Sequence, residues 1–207
     1  MSKRRDEMHA ALGFRSHSGW AALVVLTGSP RSPVVLDRKR IELIDPAMEG
    51  SAQPYHAAEK LDLEEAEKFI NDCTRRTELM ARQVLRGVIP PLQKKGLDIS
   101  GCGILLSSGN PAKTLASTLA SHALIHTAEG DFFRHALIHA SEHFGLPITM
   151  VRERELLERA ASDLELTVDK LQARLDEMGR TLGPPWSEDQ KLATLVGWLA
   201  LVAPTRG

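Results

Sequence analysis

Between Trp20 and Gly28 the chain reads WAALVVLTG, nine residues without a charge. A strand that is apolar at every position has no face to give to water, so it must lie in a sheet covered on both sides. Its flanks mark it as a strand. Ser18-Gly19 forms a tight turn before it, and GSPRSP (28–33) supplies turn residues after it. AALGFRSH (10–17) precedes the first turn as a short, mostly apolar strand, and VVLDRKRIELI (34–44) follows the second with an edge-like, more polar pattern. Three strands joined by short turns make an antiparallel meander.

From Asp62 the period changes. Leu63, Ala66, Phe69, Ile70, Cys73, Thr77, Met80, Ala81, Val84 and Leu85 recur at three- and four-residue steps, which predicts one long amphipathic helix. Pro90-Pro91 is expected to end or kink it. GCGILLSSGNP (101–111) reads as a buried strand running into a loop, and Asn110-Pro111 as a cap followed by proline at the first helical position. That helix is expected to reach about Thr127, and a second to run from about Glu129 to Gly145. PITMV (147–151) is a further strand, and helices follow at about 153–163, 168–179 and 188–202. The last opens with Ser187 and Gln190 in capping-box spacing. DPAMEGSAQPY (45–55) is expected to be a mobile loop.

A three-strand meander, a helix, a strand, helices, a strand and terminal helices is the order of the RNase H-like α/β fold. In that fold helices cover both faces of a mixed sheet, and the strands near 103–106 and 147–151 must be parallel because helical crossovers connect them. At 207 residues, 43% apolar and 26% charged, the chain suits one domain, with 153–207 a helical C-terminal portion packed on it. Five Phe, three Trp and one Tyr leave the core to aliphatic side chains.

Two segments resemble a known family. LGFRSHSGWAAL (12–23) is similar to the first hairpin of RuvC-type resolvases, which reads roughly Gly-hydrophobic-Asp-Pro-Gly and then Gly-Tyr-Gly; Gly13, Phe14, Gly19 and Trp20 match. SEDQKLATLVGWLAL (187–201) resembles the family's last helix. The resemblance implies a nucleic-acid backbone nuclease with two metal ions about 3.5–4 Å apart, held by carboxylates from the first strand, the fourth strand and the last helix. The chain departs from that set. Arg15 stands at the first position, Ser107-Ser108 ends the fourth strand, and only Glu188 and Asp189 lie near the last-helix acids, with Ala193 or Thr194 at the other site. A guanidinium there repels a dication, so a two-metal nuclease is not expected.

The remaining chemistry falls into two groups. Arg15 and His17 close the first strand, Ser107, Ser108 and Asn110 follow the central parallel strand, and Asp189 opens the last helix. Ligands of such sheets lie beyond the carboxyl ends of the strands, so these residues predict a metal-free anion pocket for nucleic acid or a nucleotide. The competing reading pairs Arg15 with Glu188 or Asp189 as a structural ion pair. The second group lies in SHALIHTAEGDFFRHALIHASEH (121–143), which holds five of the eight histidines. Helical phase turns His122 and His126 inward and His135 and His139 outward, with His143 at the border. His122 and His126, with Glu129 and His17, are candidate acid–base or metal groups, although HxxxH without an intervening Glu is a weak motif.

The charge balance of 26 basic and 27 acidic residues gives −1, so no whole-chain attraction to nucleic acid exists; SKRR (2–5) and DRKR (37–40) are short local patches. RERELLER (152–159) reads as a solvated helix face. Cys73 and Cys102 have no metal spacing and read as packed, reduced thiols. No cofactor motif, phosphate loop, secretory signal or membrane-spanning run is present, so a cytoplasmic protein without cofactor or membrane partner is expected. A third function class remains: an interaction protein whose C-terminal helices dock a partner or a second copy, forming a homo-oligomer.

Overall fold

The computed structural model describes residues 8–107, 109 and 114–203. β1 (Met8–His17), β2 (Trp20–Ser29) and β3 (Ser32–Glu42) form the meander, and β4 (Leu97–Leu106) and β5 (Ile148–Arg152) join β1 in parallel. The sheet order is β3-β2-β1-β4-β5, so β1 lies at the centre and its carboxyl end is beside that of β4.

The apolar run of β2 is used on both faces. Ala21, Leu23 and Val25 belong to one core with Ala10, Leu12 and Phe14 of β1, under α2 (Leu63–Lys94) and α4 (His122–His143). Ala22, Val24 and Leu26 belong to a second core with Leu105, under α5 (Leu156–Asp163), α6 (Val168–Leu182) and α7 (Glu188–Val202). β3 alternates buried and exposed positions over much of its length, as an edge strand does.

α7 is the helix that lies closest to the sheet. Its residues Ala193–Leu201 are all buried. A Cβ on Gly13 would fall 1.9 Å from the Ala193 carbonyl oxygen, and one on Gly103 would fall 2.1 Å from that of Val196. Both strand glycines therefore let helix backbone approach sheet backbone where any side chain would collide. Ser187 and Gln190 form the expected capping box, fixing the first turn of α7 at the carboxyl end of β1.

Element boundaries differ from the sequence expectation at several points. α2 continues through Pro90 and Pro91 to Lys94; the prolines sit in its last turns, where Val88, Ile89 and Leu92 are buried and hold the segment against the sheet. The break near 127–129 is absent. It falls instead at Ala120–Ser121, between a short α3 (Leu115–Leu119), capped by Thr114, and the unbroken α4. Segment 45–55, expected to be a mobile loop, is folded into hydrogen-bonded turns, with Ser51 Oγ donating to the Asp45 carbonyl at 3.1 Å, and leads into α1 (Pro54–Ala58) with Pro54 at its start. The expected Asn110 cap lies outside the described residues.

Candidate functional site

The corrected helix phase moves the histidines. The buried stripe of α4 is Ile125, Glu129, Phe132, Phe133, Ala136, Leu137 and Ala140. With no break at 127–129, that stripe runs back through Glu129, and His122 and His126 fall beside it, exposed rather than inward-facing. His135 is exposed as expected; His143, expected at the border, is exposed too, and His139, expected outward, is half-buried 3.3 Å from Glu78.

Glu129 is therefore a buried carboxylate inside a helix, not a ligand past a helix end. It is 3% exposed, and its Oε1 accepts from the backbone N–H of Tyr55 at 2.8 Å and of His56 at 3.0 Å. His56 Nδ1 stands 3.2 Å from the same oxygen. Burial pushes the Glu129 carboxyl above its ordinary range, opposed by these bonds from His56 and Tyr55. Its Oε2 has no hydrogen-bond partner among the described residues.

At the end of β1, Arg15 lies in a charged network. Its Nη2 is 3.2 Å from Glu153 Oε1, its Nη1 3.2 Å from His17 Nε2, and its Nε 3.4 Å from Asp189 Oδ1, too poorly aligned for a hydrogen bond. His17 Nε2 meets Asp189 Oδ1 at 2.8 Å, and the His17 ring stacks on Trp20. Arg15 thus engages Asp189, as the ion-pair reading expected, and also Glu153. Glu153 follows β5 in a single 3-10 turn (Glu153–Glu155) and, while still exposed to solvent like the other charged residues of 152–159, reaches Arg15 at the sheet edge. Ser107, at the end of β4, donates to Asp131 Oδ1 at 3.0 Å, and Arg134 donates to the same oxygen at 2.7 Å. Ser108 and Asn110 lie outside the described residues.

Members of the two groups that the sequence kept apart share one cavity, although His122, Asp189 and Ser107 do not line it. A cleft of about 270 Å³ is lined by Arg15 and His17 from β1, His56 from α1, His126, Glu129 and Arg134 from α4, and Glu153. Desolvation lowers the Arg134 pKa, and the positive charge of Arg15 lowers it further, against the pull of Asp131. Gly130 makes room for that guanidinium: a Cβ there would stand 3.1 Å from Arg134 Nη1. Sequence reasoning missed His56, Arg134 and Glu153. Pro54 at a helix start was a usable signal for His56, and the place of Glu153 directly after β5 one for Glu153.

No family model and no curated protein matches the sequence. The fold, however, is similar to that of solved structures. A structure of Thermus thermophilus RuvC in complex with a Holliday junction substrate is similar over 92% of this chain and 90% of that one, with a TM-score of 0.52 and 9% identity. A second Thermus thermophilus RuvC structure matches over 91% of each chain, with a TM-score of 0.51 and 9% identity. With a five-stranded mixed sheet in the order β3-β2-β1-β4-β5 and helices on both faces, the chain has the RNase H-like α/β fold.

Proposed function

We propose that the chain binds a phosphate-bearing ligand, a nucleic acid or nucleotide, in the cleft between the carboxyl end of β1 and α4, and does not cleave it by a two-metal mechanism. One observation carries the reading: two guanidiniums from different elements, Arg15 on β1 and Arg134 on α4, line a single cavity. Like charges converge at a cost unless an anion or a set of carboxylates answers them. Here Glu153, Asp189 and Asp131 answer them in the free chain. A phosphate offers the same oxygens in a geometry that suits two planar donors. A structural neighbour is described in complex with a Holliday junction, which favours nucleic acid as the ligand class.

The same residues disfavour paired dications. Arg15 lies within hydrogen-bonding or ion-pairing distance of both Asp189 and Glu153, so its positive charge already occupies the space between these carboxylates.

Calorimetric titration of the purified chain with short oligonucleotides and nucleotides, at several salt concentrations, tests the reading. Binding that weakens steeply with salt is expected, because released counterions drive phosphate contacts. Absence of binding at low salt overturns it.

A further inference from the structure

We propose that His56, His122 and His126 form a binding site for one transition-metal ion of the zinc class, with Glu129 behind His56 as its positioning carboxylate. The site does not depend on phosphate binding in the cleft.

The geometry begins with α4. His122 and His126 are one helical turn apart on its exposed side, and their Nε2 atoms lie 3.0 Å from each other. α1 brings His56 over them, with ring centroids 5.6 Å from His122 and 4.9 Å from His126. One ligating nitrogen from each residue falls within 4.8 Å of the other two. Nitrogens around a tetrahedral zinc ion stand roughly 3.3 Å apart, given Zn–N bonds of about 2.0–2.1 Å. Side-chain adjustments on the order of 1 Å therefore close the set on an ion.

The surroundings select a metal over a chance cluster. Glu129 fixes His56 as metal-bound histidines are usually fixed, with a carboxylate beside one ring nitrogen and the other left free. The same oxygen accepts from the Tyr55 and His56 amides, so a single carboxylate ties α1 to α4 and aims the ring. Glu129 also pays for its burial with no lysine or arginine partner among the described residues, and its Oε2 is unpartnered. A dication held by His56 supplies the missing positive charge. Three imidazoles and no carboxylate in direct reach suit zinc, and exclude magnesium or calcium as the preferred ion. This donor set differs in place and chemistry from the carboxylates of a two-metal nuclease. Three protein ligands leave a fourth position for water or a ligand atom, and two of the three, His56 and His126, line the Arg15 cleft. The sequence grouped His122 and His126 with Glu129 and His17 as acid–base or metal candidates; His56, in place of Glu129 and His17, completes the ligand set.

The test uses tag-free full-length chain, stripped with chelator and dialysed. Zinc is titrated in competition with a chromophoric chelator, and cobalt(II) is followed by visible absorption. One equivalent per chain is expected, with intense cobalt bands of a tetrahedral site. His122→Gln and His56→Gln should abolish the site, while His135→Gln and His143→Gln should leave it intact. Glu129→Gln should weaken it by about 10–100-fold. His122 is exposed, so its variant folds whatever the fate of the others. Zinc bound equally well by a His122→Gln/His126→Gln double variant overturns the proposal, as does failure of wild type to bind at micromolar zinc.

Discussion

His17 Nε2 on β1 stands 2.8 Å from Asp189 Oδ1 on α7, joining the central strand to the last helix at the carboxyl edge of the sheet. The contact depends on how closely α7 approaches the strands below it. Gly13→Ala should therefore be severe, because its Cβ would fall 1.9 Å from the Ala193 carbonyl oxygen. Forced overpacking costs roughly 1–3 kcal/mol or more, several degrees of Tm in a chain of this size. Thermal melts check it, and an unchanged Tm would show that α7 does not sit so close.

On α4 the sensitive position is Glu129 rather than either neighbouring histidine. Glu129→Ala removes the acceptor of the Tyr55 and His56 amides and should cost roughly 1–3 kcal/mol. His122→Ala and His126→Ala, at exposed positions, should each change stability by less than about 0.5 kcal/mol in chelator. Denaturant melts of the three variants decide; equal effects throughout would contradict the burial of Glu129.

These residues also show where sequence reading stops. The covered strand was legible in WAALVVLTG, and the start of α7 in the Ser187–Gln190 spacing, because both signals are local. The phase of α4 was not. Its apolar stripe passes through a carboxylate at Glu129, and polarity there imitates a helix end. That Glu129 is tolerable inside depends on two amides and a ring from α1, more than seventy residues earlier in the chain. Likewise Arg15 and Asp189 were each identifiable as site candidates, but Glu153 and Arg134 join them only through the order of strands and the path of α4.

Cys73 and Cys102 are free and buried, and burial pushes both thiols from the ordinary 9.0 up to about 11. A raised thiol pKa favours the folded state fully below pH 9, and the advantage is lost as pH rises through about 11. At pH 8 the folded chain should resist iodoacetamide and react at both thiols only after denaturant is added. Rapid labelling of the native chain would contradict this.

Magnesium or manganese should not support cleavage of branched or duplex DNA by the pure chain, because Arg15 stands against the carboxylates that would hold the ions. Metal-dependent cleavage that disappears in Asp189→Asn would refute it.

The most direct test of the anion cleft compares wild type with Arg15→Ala, titrated with the same nucleotides and oligonucleotides and melted in parallel. A charge-assisted contact to phosphate is worth about 1.5–3 kcal/mol, so affinity should fall roughly tenfold or more. Asp189 keeps His17 and both Asp189 and Glu153 are partly open to water, so the melting temperature should fall only modestly. Unchanged affinity together with a large loss of melting temperature would show that Arg15 serves only to neutralise Asp189 and Glu153, and would contradict the cleft as a ligand site.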